Sequence, residues 1–150
     1  MTTRQRIHGL AVPFGRFSAP VPDGRGSWHR EQFARGAFDT GLRGGIQLQV
    51  AHDARRVLAA TRTSTLAVWP AADGLHFVAD VEDGASLLRD YPHASIRFRL
   101  GFEREWRDGA GQWVTRERAE LIEISLVSSP AFEETWVRAL GPVAACGAFA

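Results

Sequence analysis

The sequence predicts a mostly β fold with short helices, an α+β class built as a barrel or sandwich of about seven strands. Runs of alternating apolar and polar residues recur, as where Ile46, Leu48 and Val50 alternate with Gln47 and Gln49. Turn-forming pairs, Asp73-Gly74 and Asp108-Gly109, separate such runs. Helical patterning is confined to two or three short segments. The chain of 150 residues has the size of one domain, expected over 1–140, followed by a small apolar tail at 141–150.

In chain order, Arg6 to Val12 reads as the first strand. Pro13 to Gly26 is rich in proline and glycine and reads as a loop. Arg30 to Leu42, with Phe33, Ala34, Ala37 and Phe38, predicts a short amphipathic helix lying over a sheet. Strands follow from Ile46, at Val57 to Ala60 and at Thr63 to Trp69. After the Asp73-Gly74 turn, Leu75, Phe77, Ala79 and Val81 alternate as another strand. Asp83 to Tyr91 predicts a helix with Asp83 near its N-cap. Ser95 to Glu105 is a long strand with Ile96, Phe98, Leu100 and Phe102 on one face, and the Asp108-Gly109 turn leads into Trp113 to Arg118 as a hairpin. Leu121 to Val127 is a strongly apolar strand, and Pro130 introduces a last helix from Ala131 to Leu140.

Composition narrows the function classes. The net charge is +1, with 45% apolar and 23% charged residues, so nothing global points to nucleic acid or to an acidic partner. All 18 basic residues are arginine, a side chain suited to fixed carboxylate pairing. The single cysteine, Cys146, excludes an intrachain disulfide and a cysteine metal cluster. The first residues are polar with no apolar h-region behind them, so a signal peptide is not expected. No apolar run reaches the ~20 residues of a membrane span. His-x-x-x-His and Cys-x-x-Cys spacings are absent, as are a phosphate-binding loop and a Gly-x-Ser-x-Gly elbow, so no metal or cofactor is expected.

Three residues stand out for chemistry. If the strand from Ile46 continues, His52 shares the face of Ile46, Leu48 and Val50 and sits where the polar run Asp53-Ala54-Arg55-Arg56 begins. A histidine at the rim of an apolar face suits a general base, and a satisfied core histidine fits the same position. Ser95 opens its strand on the side away from the apolar face, where a base would have to activate its hydroxyl. Glu123 lies inside the apolar run Leu121 to Val127, where a carboxylate needs a partner: an arginine, or a histidine that it orients. Asp53 is the rival orienter, although adjacent side chains on an extended chain point apart, and His93 is the alternative base.

These segments, taken in order, resemble the prohead proteases of tailed phages and related gene transfer agents. Gly9 to Phe14 is similar to the family's first block, and Arg35-Gly36-Ala37-Phe38 to its Pro-Gly-Ala-Phe segment. His52-Asp53 matches the His-Asp that carries the family's catalytic histidine, and Asp73-Gly74-Leu75 matches a turn and strand. Ser95-Ile96-Arg97-Phe98 is similar to the Ser-(Ile/Val)-Gly-Phe block that carries the nucleophile. Leu121 to Ala131, with Glu-Ile-Ser-Leu-Val and then Pro-Ala, is the most specific match. Arg35 replaces a proline and Arg97 replaces the glycine of the nucleophile block.

The resemblance implies a herpesvirus assemblin-like β-barrel wrapped by helices, with His52, Ser95 and Glu123 as the catalytic set in chain order. It implies a serine endopeptidase that processes scaffold segments and the major capsid protein precursor inside assembling procapsids in the host bacterial cytoplasm. Self-association stays open, and neither a membrane nor direct nucleic-acid contact is expected. Arg97 and the short chain motivate the alternative, a weak or inactive homologue that serves as a head assembly or scaffold component.

Overall fold

A computed structural model of the chain describes residues 3–100, 105–108 and 112–143. Twelve strands are present among the described residues: β1 (Arg4–Pro13), β2 (Val21–Pro22), β3 (Trp28–Phe33), β4 (Gln47–Val50), β5 (Asp53–Ala60), β6 (Leu66–Pro70), β7 (Gly74–Glu82), β8 (His93–Leu100), β9 (Glu105–Asp108), β10 (Trp113–Arg116), β11 (Ala119–Val127) and β12 (Trp136–Pro142). They form three four-stranded sheets, ordered β12-β1-β7-β6, β2-β3-β10-β9 and β5-β4-β11-β8. The one α-helix among the described residues is α1 (Gly84–Asp90).

This corrects the α+β barrel expectation. Among the described residues strand accounts for 56% and helix for 8%, and the sheets are open, with no closed barrel and no wrapping helices. The two other predicted helices are absent for identifiable reasons. At 28–33 the chain alternates, with His29, Glu31 and Phe33 buried and Trp28 and Arg30 exposed. The period of two is hidden in the sequence because two of the inward residues are polar. Glu31 is neutralised inside by Arg116, whose Nε donates to Oε2 at 3.2 Å and whose Nη2 lies 3.2 Å from the same oxygen. At 131–140 the expected helix gives way to β12, which pairs antiparallel with β1 and satisfies backbone groups that β1 would otherwise leave unpaired. That long-range partner overrides local propensity.

The helix at α1 does form, with Asp83 at its N-cap. The Asp83 side chain makes no capping bond; Gln5 Oε1 from β1 instead accepts from Ala85 N at 2.7 Å. Gly109 of the predicted Asp108-Gly109 turn lies outside the described residues, but β9 and β10 do pair antiparallel on either side of it.

One apolar core joins the sheets. Ile7 and Val12 of β1, Phe77 of β7, Leu48 of β4 and Leu121, Ile124 and Leu126 of β11 belong to it, together with Phe33 and Phe38. The segment between β3 and β4 is clamped onto β11: Ala119 N donates to Ala37 O and Leu121 N to Gly41 O, each at 2.8 Å. Gly41 must be glycine there, since a Cβ would fall 1.9 Å from Ala119 O.

Candidate active site

The sheet β5-β4-β11-β8 has an apolar face and a polar face. Leu48, Ile124, Leu126 and Ala94 enter the core. On the other face, β11 places Glu123 between Gln47 and Arg97, and Ser125 between Gln49 and Ser95. Directly opposed residues on neighbouring strands share a face.

A β-bulge makes this possible. The pairing passes from Leu121↔Phe98 to Glu123↔Arg97, so two steps on β11 match one step on β8, and Ile122 is the extra residue. Strict alternation would put Leu121 and Glu123 on one side. The bulge re-phases the strand, so Leu121 stays in the core while Glu123 turns to the polar face.

His52 reaches the same face by a turn and not by strand phase, which corrects the sequence expectation. Strand β4 stops at Val50, β5 begins at Asp53, and these two residues pair. Ala51 and His52 form the connection, with φ of 52° and 56°. Two-residue hairpins of the mirror-image kind require positive φ at both central residues, and neither residue here is glycine. Left-handed backbone at a non-glycine residue costs roughly 1–2 kcal/mol, so the surroundings must hold it. Ala51 N donates to Leu126 O at 2.9 Å, and His52 N donates to Ser125 Oγ at 2.9 Å.

The polar groups then form a chain. His52 Nδ1 contacts Glu123 Oε1, and Ser125 Oγ donates to Glu123 Oε2 at 2.8 Å. Glu123 is 2% exposed and Ser125 fully buried, whereas the His52 side chain is 33% exposed and open to solvent. A bond from Nδ1–H to a carboxylate fixes the tautomer that leaves Nε2 as an acceptor, and Nε2 has no protein partner among the described residues. Ser95 is half-buried next to Ser125 and makes no hydrogen bond to His52. Free catalytic sites often show such open nucleophile–base spacings, which tighten only on substrate binding.

The rival residues are occupied elsewhere. Asp53 accepts from Arg55 N at 2.9 Å and Arg55 Nε at 3.1 Å, and those bonds hold its carboxyl below the usual range. His93 Nδ1 lies 2.8 Å from Thr135 O. Arg97 Nε is 3.7 Å from Glu123 Oε1, the oxygen that also faces His52. Sequence reasoning missed Ser125; its place two residues after Glu123 in an apolar strand was the only available signal. Among the described residues no cluster of metal-ligating side chains occurs, and no helix is long and apolar enough to cross a membrane.

A buried carboxylate, an imidazole with one free nitrogen and a serine hydroxyl thus share one sheet face, as acyl transfer by a serine nucleophile requires. No curated protein matches the chain. Residues 1–144 match a family model described as caudovirus prohead serine protease.

Proposed function

Because the chain belongs to the caudovirus prohead serine protease family, we propose that it cuts peptide bonds with Ser95 as nucleophile, His52 as general base and Glu123 as the residue that orients the imidazole. The observation that carries this reading is the contact of His52 Nδ1 with the buried Glu123, on the face that also bears Ser95. As Ser95 Oγ attacks the scissile carbonyl carbon, its proton passes to His52 Nε2. Glu123 stabilises the imidazolium that forms. When the C–N bond breaks, His52 gives the proton to the leaving amine. Water then attacks the acyl-serine ester by the same route and frees Ser95. The substrates are scaffold segments and the capsid protein precursor, met inside the procapsid.

Incubation of the purified chain with its cognate capsid precursor tests this, read by mass spectrometry. Wild type yields discrete fragments and Ser95→Ala yields none. A serine-directed fluorophosphonate labels wild type and spares Ser95→Ala. Equal cleavage by both chains would refute the assignment.

One observation favours a second reading. Arg97, which stands where the family pattern has glycine, takes up part of the charge of Glu123 at 3.7 Å. A weakened enzyme acting as a head component would give fully processed capsid protein in particles made with Ser95→Ala.

A further inference from the structure

Beside Glu123 lies a cleft of about 310 Å³, lined among others by Gln47, Gln49, Arg62, Arg97 and Glu123. Its walls are built, not incidental. Arg62 sits on the 3₁₀ turn Thr61–Thr63, which is tied to the start of β4: Thr61 N donates to Ile46 O at 2.9 Å, and Ile46 N to Thr61 Oγ1 at 3.0 Å. Gly45 leaves room for it, since a Cβ there would come 2.4 Å from Arg62 Nε. Gln49 is 5% exposed, its Nε2 donates to Gln47 Oε1 at 3.0 Å, and its own Oε1 is buried without a partner. A buried amide end without a protein partner is a polar position open to water or to a ligand, and it can donate only if Gln47 and Gln49 flip together.

Arg62 and Arg97 therefore line one cleft whose single carboxylate, Glu123, is already engaged by His52. Arg97 is two residues from Ser95 on one strand face, a spacing of about 7 Å, which matches two residues of an extended peptide.

We propose that this cleft is a specificity subsite for a substrate side chain bearing a carboxylate, held by Arg62 and Arg97 two residues from the scissile bond. The proposal rests on Ser95 being the nucleophile. It also gives Arg97 a purpose. In the free chain Arg97 draws on the Glu123 oxygen that His52 needs. An incoming carboxylate neutralises Arg97 and returns the full charge of Glu123 to the imidazole. Acidic substrates then gain in kcat as well as in KM, which a subsite that only binds would not produce.

The test uses internally quenched peptides spanning a mapped cleavage site, with Glu, Gln or Lys at each position within three residues of the cut. Wild type prefers Glu over Gln by about tenfold in kcat/KM at one position two residues from the bond. Arg97→Gly erases that preference, and Arg62→Glu, on an exposed turn, turns it toward Lys. Equal rates for Glu and Gln at every position, in a wild type that cleaves, overturn the subsite and leave the catalytic assignment intact. If wild type cleaves none of the peptides, the catalytic reading fails. Binding of the labelled peptides to Ser95→Ala, followed by fluorescence anisotropy, then judges the subsite separately: tighter binding of the Glu peptide, lost in Arg62→Glu, upholds it, and equal binding refutes it.

Discussion

Ser125→Ala is the substitution that most directly probes how the site is held. The serine is fully buried, and its one hydroxyl serves two partners: it accepts from His52 N at 2.9 Å and donates to Glu123 Oε2 at 2.8 Å. Alanine keeps the packing and removes both bonds. A neutral hydrogen bond contributes about 1 kcal/mol, and one to an ionised carboxylate about 1.5–3 kcal/mol. The expected loss is therefore about 2.5–4 kcal/mol, a large part of the ~5–15 kcal/mol that holds a domain together. Urea unfolding of Ser125→Ala in a Ser95→Ala background, which removes self-digestion, should show a lower midpoint with an unchanged slope. Activity should fall further than stability alone explains at a temperature where the fold persists. The left-handed turn at Ala51 and His52 loses one of its two tethers, and a drift of the imidazole by about 1 Å costs on the order of 100-fold in rate. Most of that loss should appear in kcat, because the serine touches no substrate. An unchanged midpoint together with wild-type kcat would refute the idea that Ser125 holds the turn and the carboxylate in place.

Four further outcomes follow from the same geometry. Glu123→Gln should lower kcat by about 10³-fold or more while the chain stays folded, since the amide still accepts from Ser125 but no longer stabilises an imidazolium; single-turnover cleavage and a thermal melt read the two effects. Asp53→Asn should change cleavage by less than about twofold, because Asp53 is committed to Arg55 at the surface, and a large loss would reinstate it as the orienter. Gly41→Ala should destabilise by about 1–3 kcal/mol, since the new Cβ meets Ala119 O on the clamp that precedes the bulge; denaturant titration measures it. His8 gives a pH effect: burial, then His76 and Arg138, push its pKa below the ordinary value, while Asp73 opposes them. The folded chain then binds fewer protons than the unfolded one below about pH 6.5, so stability falls as the pH drops from there toward the folded-state value. His8→Phe, which keeps a ring against Trp69 and Trp136, should flatten the dependence of Tm on pH across that window.

What the sequence made legible follows the reach of each signal. Strands with apolar inward residues were readable, as β1, β7 and β11 show, because the side-chain period of two is local information. Strand β3 was misread because its inward residues His29 and Glu31 look like surface residues until Arg116, 85 positions after Glu31, arrives to neutralise the carboxylate. Strand β12 was misread because a proline followed by a mixed run reads locally as a helix start, while its conformation is fixed by pairing with β1 at the other end of the chain. The expected barrel failed for a different reason. Alternation reports that a strand has a buried face, but not whether the outermost strands of a sheet meet, and among the described residues the sheets stay open.

The site separates residue type from residue placement in the same way. The sequence could mark Glu123 as anomalous, because a carboxylate in an apolar strand needs a partner, and it could mark His52 as a histidine at a strand end. It could not bring them together, because the two devices that do so are departures from periodicity. A strict period of two on β11 gives Glu123 the face of Leu121, in the core, and only the extra residue Ile122 turns it over. A continued β4 gives His52 the face of Leu48 and Val50, also in the core, and only the left-handed turn at Ala51 and His52 folds it back over β11. Each regular reading alone would have buried one member among apolar side chains. The bulge and the turn are both needed, and Ser125 bonds to the product of each: the carboxylate of Glu123 and the backbone of His52. Deletion of Ile122 tests this account of the bulge. It makes Leu121 and Glu123 direct neighbours, so strict alternation keeps Leu121 in the core, Glu123 on the polar face and Ile124 in the core, with the pairings Leu121↔Phe98 and Glu123↔Arg97 unchanged. A folded deletion variant should therefore keep the contact of Glu123 with His52 and still cleave. Loss of cleavage in a variant that stays folded would refute the idea that the bulge serves only to re-phase Glu123.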